Sequence, residues 1–97
     1  MPYYMLFLRE GPVVDEEAMA AYKAANRGGG PPLPGMKPLI VYGAMETVEG
    51  EPADGMVLLE FPDKDTAEKW YYSPEYQARA KLRQQAAPYR AFMVEGL

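Results

Sequence analysis

Apolar and polar residues follow two different periods along this chain. Four short runs of aliphatic and aromatic residues are bounded by turn-forming residues, and runs of this kind predict β-strands. They are Tyr3–Glu10, "KPLIVYGAMETVEG" from Lys37, Met56–Phe61 and Tyr89–Gly96, and "EPADG" is the turn expected between the second run and the third. In the longer intervals after the first and third runs, apolar residues recur every three or four positions, the period of an amphipathic helix. The pattern therefore predicts four strands, with helical segments after the first and the third.

The first helical segment begins after Asp15, whose carboxylate can accept a free amide hydrogen at a helix start. We predict that this helix ends near Arg27, because the "GGGPPLPG" that follows is unfavourable for helix. The loop Gly28–Gly35 has two interpretations, a lid over a pocket or a plain connector. Its glycines do not predict a phosphate-binding loop, since such loops follow a strand and open a helix.

The second helical region is interrupted at a Ser-Pro step. A short helix in "PDKDTAEKWYY" has Asp63 or Asp65 as its cap, and Asp65 and Glu68 have the spacing of a capping box. Ser73 and Pro74 then predict a new helix start, because the hydroxyl accepts an amide hydrogen and proline presets the backbone angle. The last helix is predicted over "PEYQARAKLRQQAA".

The order strand, helix, strand, strand, helix, strand is that of a split βαβ repeat. We therefore expect an α+β, ferredoxin-like βαββαβ fold, in which a four-stranded antiparallel sheet carries its helices on one face. The chain has 97 residues, which is enough for a single domain, 1–97, and leaves no room for a second core.

Both faces of this sheet are predicted to be apolar. In the third strand Val57, Leu59 and Phe61 point to one side while Met56 and Leu58 point to the other, and the first strand alternates in the same way. The helices can cover only one face. Leaving the other in water would forgo about 1.5–3 kcal/mol for each fully buried side chain. We therefore predict a homodimer whose sheets pack face to face.

Charge and composition exclude several classes of function. The chain has ten basic and fourteen acidic side chains, for a net charge of -4. The basic residues are scattered along the sequence, so we expect no nucleic-acid partner. The first apolar run is too short for a signal peptide or a bilayer span, which predicts a cytoplasmic protein without a membrane partner. The chain lacks cysteine and histidine, so we expect no metal and no cofactor, and acid–base chemistry falls to Asp, Glu, Lys, Tyr or Arg.

From "VLLEFPDKDTAEKWYYSPEYQ" to "VEG" the chain resembles the small bacterial proteins grouped as domain of unknown function 1330. The matching residues are Phe61, Ala67, Trp70, Tyr71, Ser73, Pro74, Tyr76, Arg83, Val94, Glu95 and Gly96. The resemblance implies membership of the dimeric α/β-barrel group. The amino-terminal half departs from the family pattern, with "NRGGGPPLPGMKPLIVYGAME" where many relatives have a Gly-Gly-Arg-type segment.

Arg83 is the leading candidate for a catalytic residue, because it lies on the apolar side of the last predicted helix together with Tyr76. Its guanidinium either holds a carboxylate or enolate oxygen in a cavity, or forms a structural pair with a carboxylate such as Glu95. Glu60 and Glu95 lie within strands, where a carboxylate is either paired or raised in pKa toward the range of a general base. Arg83, Tyr76 and Glu95 are therefore the catalytic candidates.

The substrate-binding candidates are Tyr22, Asn26, Trp70 and Tyr71. Tyr22 and Asn26 are one turn apart on the first helix and can face the same cavity as Arg83. Each also has a structural interpretation: the aromatic rings as core or helix-junction packing, and Asn26 as a helix-end residue.

Two classes of function remain open on the sequence. One is a cofactor-free small-molecule protein, such as an isomerase, cyclase or lyase, acting on an acidic or carbonyl compound, with Arg83 as anion holder and Tyr76 or Tyr22 as hydrogen-bond donor. Enzymes of that kind occur in the group that the resemblance implies. The other is a non-catalytic ligand-binding or structural dimer module. A cavity lined by Arg83, Tyr22 and Tyr76 would favour the first class, and an Arg83 paired with Glu95 would favour the second.

Overall fold

The computed structural model describes residues 1–28 and 35–97, apart from the side chains of residues 25–28. The elements occur in the predicted order. They are β1 (Tyr3–Arg9), α1 (Glu16–Gly28), β2 (Lys37–Val41), β3 (Gly55–Phe61), α2 (Lys64–Tyr71), α3 (Pro74–Ala86) and β4 (Tyr89–Glu95). The strands form one antiparallel sheet in the order β2-β3-β1-β4. The predicted βαββαβ plan is therefore confirmed, with its second helical segment divided into α2 and α3.

Side chains cap the helices where the sequence predicts helix starts. Asp15 accepts a hydrogen bond from the amide of Ala18 at 2.9 Å. The hydroxyl of Ser73 accepts from the amide of Tyr76 at 3.2 Å and donates to the carbonyl of Trp70 at 2.7 Å, which joins α2 to α3. The "WYYSPEYQ" stretch is thus a helix junction.

The predicted capping box of α2 is wrong. Asp63 caps this helix by accepting a hydrogen bond from the amide of Thr66 at 2.8 Å, and this bond lowers the pKa of the Asp63 carboxyl. Asp65 instead pairs with Lys69, one turn along, at 2.9 Å. Opposite charges four residues apart face each other on a helix, so this pair competes with the capping role.

The second strand is shorter than predicted. It ends at Val41, and Tyr42 leaves the strand with a positive φ of 53°. The connection to β3 is the segment 42–54 rather than the short turn expected at "EPADG". A non-glycine residue with positive φ ends the extended backbone of a strand, and this explains the early stop.

All three helices pack on one face of the sheet. Phe7 and Phe61 project from that face and are almost fully buried beneath Ala67 of α2 and Tyr76 and Ala80 of α3. A second small cluster joins α1 to the end of α3. Small alanine side chains at these contacts let the helices approach the sheet closely, so the aromatic rings fill the remaining space.

The opposite face of the sheet carries no helix, as predicted. Its apolar side chains come from all four strands, and several are half-buried or exposed within one chain. The central members are Leu6, Leu8, Ile40, Leu58, Phe92 and Val94. We call this set the open face. Glu60 lies at its margin, where it accepts a hydrogen bond from the hydroxyl of Tyr4 at 3.2 Å. In the described part of the chain, no helix is long and apolar enough to cross a bilayer.

Candidate functional site

Arg83 lies on the buried side of α3, between the helices and the sheet. Only 3% of the residue is exposed. Its guanidinium carbon is 4.9 Å from the ring centroid of Phe7 and 5.0 Å from that of Tyr89. The buried side of α3 also includes Tyr76, Ala80 and Ala86, as the helical period predicts. The cation therefore lies between two aromatic rings in the interior.

This buried cation is not paired. Two of its nitrogens, Nε and Nη2, are buried and have no hydrogen-bond partner among the residues that the structure describes. Among the described residues, ion pairs join Lys64 to Glu68, Lys69 to Asp65 and Arg90 to Glu10, and none includes Arg83. Buried guanidinium groups are ordinarily compensated by an anion or by several acceptors, so Arg83 departs from the usual pattern.

The predicted pair between Arg83 and Glu95 is not formed. Tyr89, which Arg83 contacts, begins β4, and Glu95 ends that strand opposite Tyr3. The two ends of this seven-residue strand are about 20 Å apart at about 3.3 Å per residue. Glu95 is also exposed. Glu95 is on the helix-covered face of the sheet, where Arg83 also packs, but it lies at the opposite end of β4 from the Arg83 contact.

Two tyrosine hydroxyls meet beside Arg83. The Oη atoms of Tyr22 on α1 and Tyr76 on α3 are 3.4 Å apart. Tyr76 is 1% exposed, and burial raises its pKa above the ordinary tyrosine value; the neighbouring Tyr22 adds to this rise and Arg83 opposes it. Tyr76 therefore remains a neutral phenol, which can donate a hydrogen bond but is a poor base at neutral pH.

Trp70 and Tyr71 pack around Tyr76 from the end of α2. The ring centroids of Trp70 and Tyr76 are 4.1 Å apart, and those of Tyr71 and Tyr76 are 5.6 Å apart. Trp70 also contacts Phe61, at 5.6 Å. The guanidinium carbon of Arg79 lies 5.7 Å from the ring centroid of Tyr76. These contacts hold the phenol of Tyr76 in place, so Trp70 and Tyr71 are positioned to support the site rather than to reach Arg83.

Two predicted elements of the site lie outside the described residues. They are the side chain of Asn26 and most of the Gly28–Gly35 loop. The group brought together by the described residues is therefore Arg83, Tyr22 and Tyr76, with Phe7 and Tyr89 as the rings around the cation. We call these five residues the arginine cluster. Among the described residues, no group of three or more Asp, Glu, His or Cys side chains is placed to hold a metal ion.

An open cleft of about 460 Å³ lies beside this cluster, and no sequence pattern indicated it. None of the predicted site residues whose side chains the structure describes lines the cleft. Its walls include Arg9, Met19, Lys23, Tyr42, Asp54 and Gly55. Arg9 was detectable, because it continues the alternation of Tyr3, Met5 and Phe7 and so belongs to the helix-covered face. Tyr42 was not, because no local signal marks a tyrosine that adopts positive φ.

Tyr42 connects the cleft to the arginine cluster. Its hydroxyl is 2.7 Å from the hydroxyl of Tyr89, whose ring contacts Arg83. Its amide donates to the carbonyl of Met56 at 2.8 Å, which holds the backbone in the left-handed conformation. Burial, followed by the bond to Tyr89, raises the pKa of Tyr42. The paired hydroxyls thus link the wall of the cleft to the ring that contacts Arg83.

We expect Gly55→Ala to destabilise the protein by about 1–3 kcal/mol, the usual range for overpacking. A Cβ at this position would lie 2.8 Å from the ring of Tyr42, and that ring cannot move without loss of the 2.7 Å contact to Tyr89. Urea unfolding measures the change. Gly43→Ala is the control, since no atom lies within 4 Å of its added Cβ. Equal losses in both variants would contradict close packing of the Tyr42 ring over Gly55.

The sheet order and the helices on one face define a ferredoxin-like α+β protein. The chain belongs to the family described as Domain of unknown function (DUF1330), whose model matches residues 4–97. This confirms the resemblance and extends it over the amino-terminal half, where the local pattern differs. No curated protein matches the sequence.

Solved structures share the fold. A dimeric ferredoxin-like protein of unknown function from Jannaschia sp. CCS1 has a TM-score of 0.74 at 19% identity, over 99% of this chain and 100% of that chain. A protein of unknown function from Rhodopseudomonas palustris has a TM-score of 0.68 at 24% identity, over 99% of this chain and 82% of that chain. SnoaB of Streptomyces nogalater, described as a cofactor-independent oxygenase, has a TM-score of 0.50 at 13% identity, over 99% and 91% of the two chains. At these identities the comparisons establish the fold alone.

Proposed function

We propose that this protein binds a small organic acid, or a carbonyl compound as its enolate, at the arginine cluster. The observation that carries the proposal is the Arg83 guanidinium, which is 3% exposed and has two buried nitrogens without an acceptor in the described part of the chain. Desolvating an ion costs several kcal/mol, and an anion with good hydrogen-bond geometry offsets that cost. A bound carboxylate or enolate oxygen would supply both the missing charge and the missing acceptors.

The neighbouring rings support a small and partly apolar ligand. The guanidinium of Arg83 lies over the rings of Phe7 and Tyr89, so these contacts are cation–π contacts. The neutral hydroxyl of Tyr76 can donate a second hydrogen bond to the same oxygen, with Tyr22 beside it. A cation with a phenol donor favours an oxyanion on an otherwise apolar body.

Binding is the function that this geometry supports best. A catalytic role, as a cofactor-free isomerase, cyclase or lyase, is the second candidate, and the Tyr22–Tyr76 hydroxyl pair beside Arg83 favours it. A guanidinium and a phenol aimed at one oxygen can stabilise negative charge as an enolate develops. Because burial raises the pKa of Tyr76, this tyrosine would act as the donor to that oxygen and not as the base.

The proposed assembly is a homodimer that pairs two open faces, as in a dimeric α/β barrel. It is supported by the exposure of Phe92 and Val94, at 39% and 49%, on a face that no helix covers. Apolar patches of this kind on small proteins usually mark contacts with other molecules. The structure from Jannaschia sp. CCS1 is described as dimeric, and its fold matches over nearly the whole of this chain.

A thermal-shift screen against small carboxylates, lactones and phenols tests the ligand proposal. We expect acids with an otherwise apolar body, such as benzoate, to raise the melting temperature of the natural protein and to lose this effect in Arg83→Met. Lys81→Met is the matched control, because Lys81 is an exposed cation on α3 near the same position. If acids bind and Arg83→Met retains them all, the arginine cluster is not the binding site. If an acid does bind at the arginine cluster, an assay for its turnover distinguishes binding from catalysis.

A further inference from the structure

The cleft beside the arginine cluster is formed by several elements of the fold. Its volume of about 460 Å³ is within the usual range for small-molecule sites. It lies where the end of β1, the start of β3, α1 and the segment after β2 come together. These parts are distant in sequence, so the walls of the cleft depend on the tertiary structure.

Arg9 is held in one orientation in this cleft. Its Nη2 donates to the carbonyl oxygen of Asp54 at 2.9 Å, and its guanidinium carbon lies 5.9 Å from the ring centroid of Tyr42. The Nε atom is buried without a hydrogen-bond partner. Arg9 therefore has unused donors in a fixed position, and a fixed guanidinium loses less conformational freedom when it binds an anion.

Tyr42 is the platform beneath Arg9, and it is held at an energetic cost. A non-glycine residue at a φ of 53° is sparsely populated, and such conformations concentrate at functional sites. The ring lies directly over Gly55, where there is no room for a Cβ. The strained tyrosine, the glycine below it and the arginine above it form one packed unit.

The charges of the cleft favour a carboxylic acid with further oxygen groups. Arg9 and Lys23 line it, and neither forms an ion pair with any residue that the structure describes. Asp54 also lines it and is likewise unpaired within the described ranges. This carboxylate can accept a hydrogen bond from a ligand hydroxyl.

We propose that the cleft bounded by Arg9, Lys23 and Tyr42 is a second binding site, distinct from the arginine cluster, for a small hydroxy- or dicarboxylic acid. The Arg9 guanidinium and the Lys23 ammonium hold the carboxylate, and Asp54 receives the hydroxyl. The Tyr42–Tyr89 hydroxyl pair links the wall of this site to the ring that contacts Arg83. This proposal can fail while the proposed function holds, and the reverse is also true, because the two sites use different cations.

Titration with malate, followed by amide chemical shifts in the full-length chain, tests the second site. Shifts at Tyr42, Gly43 and Gly55 are expected, with dissociation constants raised at least about 10-fold in Arg9→Met and about 3- to 10-fold in Lys23→Met. Lys23 is exposed, so its replacement leaves the fold intact even if Arg9→Met unfolds. The variants Lys81→Met and Arg83→Met should each change the constant less than 2-fold.

Binding of two other anions tests the chemical class of the ligand that the cleft takes. Benzoate and inorganic phosphate should each bind at least about 10-fold more weakly than malate. Equal or tighter binding of phosphate would overturn the assignment to a carboxylic acid, and tighter binding of benzoate would overturn the need for further oxygen groups. Loss of malate binding in Arg83→Met with retention in Lys23→Met would show that there is no second site. If Lys81→Met weakened malate binding as much as Arg9→Met and Lys23→Met do, the loss would come from the change in net charge and not from the cleft.

Discussion

Arg83→Met should stabilise the ligand-free protein by about 1–3 kcal/mol and remove the acid-induced thermal shift. The buried guanidinium costs several kcal/mol to desolvate, and no anion in the described residues compensates it. Its cation–π contacts with Phe7 and Tyr89 recover only about 2 kcal/mol. Methionine is unbranched and apolar, so it can fill the space between the two rings without a charge.

Urea unfolding at one protein concentration, with and without acid, measures both effects. Lys81→Met is expected to change neither the unfolding free energy by more than about 0.5 kcal/mol nor the ligand response, because it is an exposed surface substitution. A binding residue that lowers the stability of the free protein is typical of sites that trade stability for function. If Arg83→Met instead lost several kcal/mol, Arg83 would be a structural residue and the anion site would be wrong.

Leu58→Glu should convert the proposed dimer to a folded monomer. Leu58 lies near the middle of the open face, opposite Leu6 on β1 and Ile40 on β2. In a face-to-face dimer the substitution would bury two carboxylates, each at a cost of several kcal/mol, so the dissociation constant should rise by at least about 1,000-fold. In a monomer the same carboxylate meets water and leaves the helix-covered core intact.

Sedimentation velocity at micromolar concentration distinguishes the two states, and circular dichroism verifies that the variant is folded. The control is Val48→Glu, which places the same charge on a residue that is 84% exposed between β2 and β3. This variant should sediment as the natural protein does. A dimeric Leu58→Glu variant would exclude the open face as the interface, and a monomeric natural protein would exclude the homodimer altogether.

Much of the fold was predictable because its signals are local. The two-residue alternation in β1 and β3 identified two apolar faces of the sheet, and the structure shows which of them the helices cover. Ser73 was recognised as a cap because its partner is only three residues away. The capping box of α2 failed because Asp63 and Asp65 are both suitable caps, and the ion pair between Asp65 and Lys69 decided between them.

The candidate site was predictable only in part. The helical period placed Arg83 and Tyr76 on one buried side of α3, and the structure adds the hydroxyl contact with Tyr22. Glu95 was offered as a structural partner of Arg83, but Arg83 contacts the start of β4 and Glu95 lies at its end. The cleft escaped notice because Arg9 appeared only as the end of an apolar run.

The sequence by itself determined the order of the elements, the two apolar faces of the sheet and the buried side of the last helix. Each of these follows from the spacing of side chains within one element, where backbone geometry leaves few alternatives. Tertiary structure decided that Arg83 has no counterion within residues 1–28 and 35–97 as described, that Tyr42 is held at positive φ and that Arg9 and Lys23 line one cleft. These features depend on distances between residues far apart in the chain, which strand register and helix packing set and local periodicity does not encode.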